Sequence, residues 1–191
     1  MMTTVDGLPA HILLVHAVVV LVPLSALLLI VIAVWPAARV RLAWPTVVLT
    51  LVALVSVPLT TDAGEWLERR VTPSALVHTH TELGDSMLPW AIGLAVVAIA
   101  ILARHVAAGR TVSRHGGPGA ATVTEAGPRG SGRQPGGTVA TVVVAVLAVV
   151  IGIGSIVTVY RIGESGAAAA WTGQFSEQAQ PGTDGPPPGG G

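Results

Sequence analysis

Within positions 78–85 the chain carries His78, His80, Glu82 and Asp85, directly ahead of an uncharged apolar run over 88–103. Imidazoles exchange protons close to neutral pH, and imidazoles and carboxylates together ligate hard and borderline metal ions. The same residue types recur beside the other apolar runs: His11 and His16 open the first, Asp62, Glu65 and Glu68 follow the second, and Tyr160, Arg161 and Glu164 follow the fourth. There is no cysteine, which excludes disulfides, thiolate chemistry, iron–sulfur clusters and Cys-ligated zinc. No HExxH, GxSxG or GxGxxG pattern occurs, so nothing in the chain marks a zinc protease, a serine hydrolase or a dinucleotide site.

Helical spacing limits which of these groups can act together. Residues five apart are turned by about 140° and residues two apart by about 200°. His11 and His16 therefore cannot both face one centre, and neither can His78 and His80. His16 lies roughly 7 Å further along its helix than His11, where an ionisable residue is expensive and usually functional. It is the expected inward member, with His11 as an interfacial residue. A neutral His16 donating to a neighbouring helix's carbonyl is the structural alternative. His80 shares a face with Leu83, Gly84 and Met87 and is expected to point inward, Gly84 admitting a helix or a flat ligand. His78 shares its face with Glu82 and Asp85, a solvated pair worth a few tenths of a kcal/mol. Asp62 and Glu65 are spaced to cap a fresh helical turn. His105 and His115 fall beside a polar loop and have no such company.

The elements that position these groups belong in a bilayer. Apolar residues make up 51% of the 191 and charged residues 10%, with a mean hydropathy of +0.71, which no ordinary soluble domain shows. Net charge is zero and every basic residue is arginine, so bulk charge gives no reason for a nucleic-acid partner. The first span, 11–34, has no charge and reaches roughly 36 Å as a helix. Pro23 is expected to kink it, with Ser25 taking up the freed carbonyl. Trp35 and Trp44 are expected as interfacial anchors bracketing a short loop, with Arg39 and Arg41 between them. The second span is 42–60. A turn at 71–75 follows, with Thr72 as N-cap and Pro73 in the first turn of the third helix. The third span is 84–103 and the fourth 138–160, where Gly152 and Gly154 allow close helix approach. Beyond it, 161–173 is expected to hold a short interfacial helix.

The fold expected is all-α, a polytopic bundle of four transmembrane helices. It divides into a tail at 1–10 without the basic region of a signal peptide, the first three helices at 11–105, a disordered loop rich in Arg, Gly and Pro at 106–137, the fourth helix with its interfacial segment at 138–173, and a disordered tail at 174–191. Arginines set the orientation. Arg39, Arg41, Arg104, Arg110, Arg114, Arg129 and Arg133 lie at one side and Arg69, Arg70 and Arg161 at the other. Seven against three puts both termini outside the cell membrane, and with them the histidine- and acid-rich ends of the spans.

His11 with His16 opening the first span, TTDAGEWLE after the second, VHTHTELGD before the third and VYRIGESGAAAAW after the fourth together resemble the domain of unknown function 2231 family of predicted bacterial membrane proteins. The likeness runs from His11 to Trp171, and a composition rich in Arg, Ala, Val and Gly without lysine resembles an actinobacterial version. The resemblance implies a multi-span membrane protein and no particular activity. Many relatives have proline after the first histidine and a further histidine after the fourth span, where Ile12 and Glu164 stand here.

Three functions fit these residues. The first is a non-enzymatic membrane component, a partner or stabiliser of another membrane complex, whose outer His, Asp and Glu cluster satisfies helix ends. The second is a haem b protein passing electrons to a redox partner, with axial His16 and His80, or His11 in place of His16, and Arg161 for the propionates. On straight helices His16 and His80 differ in depth by about 10 Å, so this ligation needs tilt or His11. The third is metal binding or proton transfer through His16, His80, Asp62 and Asp85. The lipid bilayer is a partner in all three.

Overall fold

The computed structural model describes residues 4, 5, 7–115 and 135–174. Ahead of the helices, β1 (Thr4–Val5) pairs antiparallel with β2 (Leu8–Pro9). The turn between them uses Gly7 at φ 80°, a conformation that costs glycine nothing. Among the described residues five helices follow: α1 (Ala10–Val34), α2 (Pro36–Glu68), α3 (Ala75–Asp85), α4 (Met87–His115) and α5 (Pro135–Trp171).

The joints between helices differ from expectation for local reasons. No loop separates Trp35 from Trp44. A residue before proline is pushed out of the helical region, so Trp35 alone is extended, and Pro36 starts α2 at once. Arg39 reaches back to cap α1, Nε donating to the Ile32 carbonyl and Nη2 to that of Ala33, both at 2.7 Å. Asp62 and Glu65 cap no new turn, because α2 continues through them to Glu68. The N-cap of α3 is Ser74, whose hydroxyl accepts from the Val77 amide at 3.2 Å, and Thr72 and Pro73 precede the helix. Between α3 and α4 there is only Ser86. Pro89 can neither donate to the Asp85 carbonyl nor let it approach, which breaks the ladder there. The two helices form one span, Ala75–Arg110. At the far end, 161–171 is the unbroken continuation of α5 rather than a separate interfacial helix. The loop expected over 106–137 is helical at both flanks, in α4 to His115 and in α5 from Pro135, while 116–134 lies outside the described residues. So does the tail expected at 174–191, apart from Gln174.

Among the described residues four spans, Ala10–Val34, Pro36–Glu68, Ala75–Arg110 and Gly137–Trp171, are long and apolar enough to cross a membrane. α1 packs on α2 and α5, and α4 packs on the same two, which closes a four-member ring. Its centre holds Val22, Leu29 and Ile32 of α1, Val57 of α2, Leu94 of α4 and Ala148 of α5. The outside is as apolar as the inside: Val20, Leu27, Val55, Val96, Val146 and Ile153 are all exposed. An apolar surface of this extent is stable only against hydrocarbon. The protein is an all-α, four-span integral membrane protein.

Small residues set how closely the helices approach. A Cβ on Gly152 would stand 2.8 Å from Ile30 Cδ1, and one on Gly154 would stand 2.1 Å from Trp90 Cζ3. Thr46, Thr50 and Ser155 are fully buried and donate to carbonyls of their own helices, which satisfies a hydroxyl without a partner helix. Ser25 is equally buried, yet its Oγ has no hydrogen-bond partner among the described residues. The carbonyl that Pro23 frees belongs to Val19, on the exposed side of α1, so Ser25 does not take it up.

A histidine pair held by all four spans

The inward face of α1 is set by its neighbours. Val18, Ser25 and Ile32 are buried at intervals of seven, the repeat that keeps a seam facing its partners in a bundle. Continuing that repeat toward the N-terminus reaches His11, not His16. His11 Nδ1 bonds to the Thr60 carbonyl on α2 at 3.0 Å. The carbonyl already belongs to the α2 ladder and uses its second lone pair. It is reachable because Gly64 stands one turn further on: a Cβ there would come within 3.0 Å of His11 Cε1.

His80 is half-buried on α3, and its Nδ1 lies 3.1 Å from Ser165 Oγ on α5. The adjoining Gly166 clears room for the ring, since a Cβ there would be 2.9 Å from His80 Cε1. The two imidazoles stand edge to face, with centroids 6.4 Å apart and planes at 80°. Each span contributes: His11 from α1, Thr60 and Gly64 from α2, His80 from α3, Ser165 and Gly166 from α5.

Hydrogen-bond partners fix the tautomers. A carbonyl only accepts, so His11 Nδ1 carries its proton. Ser165 Oγ donates to the Ile162 carbonyl at 2.9 Å, which leaves its lone pairs for a proton on His80 Nδ1. In both neutral rings Nε2 is then the bare nitrogen, an acceptor and a potential metal ligand. The pair can accept protons or ligate; among the described residues no serine or carboxylate stands hydrogen-bonded to either Nε2 as in a nucleophile–base arrangement.

The other residues singled out by sequence lie elsewhere. His16 is exposed and bonds through Nδ1 to the Ile12 carbonyl of its own helix, on the row that carries the exposed Val20 and Leu27. The expected roles of the two are thus exchanged: His11 is inward, and His16 is turned out of the bundle. Asp62, Asp85 and Arg161 are exposed. Among the described residues no three His, Asp or Glu side chains gather into a metal-binding group, so His16, His80, Asp62 and Asp85 do not form the set expected. His78 and Glu82 are 3.8 Å apart with side chains 72% and 70% exposed, an ion pair of little weight. Over Gly84 there is open space within 4 Å. His105, half-buried, lines a cleft of about 570 Å³ with Val40, Ala43, Trp44 and Val106 at the opposite end of the bundle. The side chain of His115 lies outside the described residues.

Sequence reasoning missed Thr60, Gly64, Ser165 and Gly166. The heptad from His11 to Ile32 was a usable signal for His11. Nothing local marks the two glycines, which sit inside helices and matter only through a ring brought from another span.

Fold and site together define the class: an integral membrane four-helix bundle with a paired-imidazole site at one end. Compared with protein-family models, with curated proteins and with solved structures, the chain matches none.

Proposed function

We propose that the protein is a non-enzymatic component of the cell membrane, a partner or stabiliser of another membrane complex, whose outer end is organised by the His11–His80 pair. The observation that carries this reading is that each imidazole joins two different helices, α1 to α2 and α3 to α5, so the pair fastens the whole ring at one end. The arginine bias supports an orientation with this end and both termini outside the cell. The order of motifs around the four spans supports membership of the domain of unknown function 2231 family.

A second reading is haem b binding between α1 and α3, with His11 replacing His16 as the axial partner of His80. It is supported by the meeting of one imidazole from α1 with one from α3, ring centres 6.4 Å apart; because the rings pack edge to face, one of them must turn before two nitrogens can address a single metal. A bare metal ion or a transferred proton would use the same two nitrogens.

Absorption spectra of detergent-purified protein, oxidised and reduced, separate the readings when combined with melting curves. In the structural reading wild type is colourless. His11→Ala and His80→Ala then each lose about 0.5–1.5 kcal/mol for the hydrogen bond, with a coupling of about 0.5–1.5 kcal/mol for the ring contact. In the haem reading a reduced-state band is present and either substitution shifts or abolishes it. His16→Ala is silent in both. Additive, near-zero effects at His11 and His80 in a colourless protein would remove the pair as the working element.

A further inference from the structure

At the end of the bundle opposite the histidines, Arg39 of α2 and Arg104 of α4 line one small pocket of about 20 Å³, with Thr141 of α5 beside them and Ala33, Ile101 and Val144 completing its wall. Each guanidinium has five N–H donors. Arg39 uses two, on the Ile32 and Ala33 carbonyls. Arg104 uses one, donating from Nη2 to Thr141 Oγ1 at 3.1 Å, while the Thr141 hydroxyl donates to the Gly137 carbonyl at 2.8 Å. Among the described residues both cations are therefore held in place with donors to spare.

Nothing described neutralises them. The described acids, Asp62, Glu65, Glu68, Glu82, Asp85 and Glu164, belong to the histidine end of the spans. Two guanidiniums lining one pocket at the edge of a low-dielectric bundle repel each other. An anion with several acceptor oxygens removes that repulsion and fits the planar donor fork better than it fits an ammonium. The pocket sits where α1 ends and the spans of α4 and α5 meet the interface, and basic pockets between spans at that depth recognise lipid head groups. Its volume admits one oxygen and leaves the remainder of a phosphate at the mouth, as a head group approaching from the leaflet would be placed.

We propose that Arg39 and Arg104, the latter held in place by Thr141, form a binding site for a phosphate group, that of an anionic phospholipid in the leaflet at this end. The site is independent of the histidine pair. The test uses the full chain in phosphatidylcholine nanodiscs containing an equal amount of phosphatidylglycerol, with retained lipids counted by native mass spectrometry. Each arginine met at the surface is worth about fivefold. Wild type should therefore retain phosphatidylglycerol in clear excess, Arg104→Gln should lower that preference about fivefold, and Arg70→Gln at the other end should leave it unchanged. Thr141→Val, which keeps the shape but frees the Arg104 guanidinium, should lower it more weakly and serves if Arg104→Gln fails to insert. A second arm compares melting in inorganic phosphate and in chloride at equal ionic strength. A rise in phosphate that Arg104→Gln or Thr141→Val abolishes, without lipid preference, keeps the phosphate site and assigns it to the free ion. Lipid preference that survives both Arg104→Gln and Thr141→Val, or neither preference nor phosphate response in wild type, overturns the proposal.

Discussion

Placing a methyl group on Gly154 is the sharpest test of how the bundle is packed. The new Cβ would stand 2.1 Å from Trp90 Cζ3, 2.2 Å from Cη2 and 2.9 Å from Cε3. Restoring ordinary contact needs about 1.3 Å of relative movement between the indole and α5. The indole is half-buried in the seam between α4 and α5, so either it rotates out or the helices part. An overlap with three ring atoms falls in the upper part of the overpacking range, about 2–3 kcal/mol, and the better helix propensity of alanine returns at most about 1 kcal/mol. Gly154→Ala should therefore lose about 1–2 kcal/mol, which for a chain of this length lowers the melting temperature by about 2–8 °C. The assay is thermal unfolding in detergent followed by circular dichroism. Gly163→Ala on the same helix, where a Cβ meets nothing within 4 Å, should be neutral or mildly stabilising. Trp90→Leu removes the three ring atoms in question, so Gly154→Ala should cost much less in that background. A Gly154→Ala protein as stable as wild type would refute the close approach of α4 and α5.

Two further outcomes are expected. Ser25→Ala removes a buried hydroxyl without a partner and should raise stability by about 1 kcal/mol; a melting temperature that falls instead would mean the hydroxyl is bonded. For the proposed orientation, a reporter active only in the cytoplasm should be active when fused within 116–134 and inactive when fused after Trp171, and activity at the C-terminal fusion would reverse the topology.

The number and rough position of the spans were legible in the sequence because the constraint behind them is local. Each crossing helix must satisfy its own backbone and fill the hydrocarbon thickness with apolar residues, so an uncharged run such as 11–34 has one reading whatever surrounds it. The same argument underestimated helix length at the ends. Nothing local obliges a helix to stop where its apolar run ends, and α2 and α5 continue through Asp62 and Arg161 to Glu68 and Trp171.

Which polar groups meet was decided by tertiary structure. Helical spacing established that only one of His11 and His16 could face a centre, but the rotation of α1 is set by the packing of Val18, Ser25 and Ile32 against other spans, and that rotation selects His11. The partner of His11 is a carbonyl 49 residues away, and that of His80 a hydroxyl 85 residues away. Gly64 and Gly166 matter because an imidazole from a different helix lies where their side chains would be. A contact of that kind has no period and no local motif, so it exists only once four independently determined helices have been set against one another.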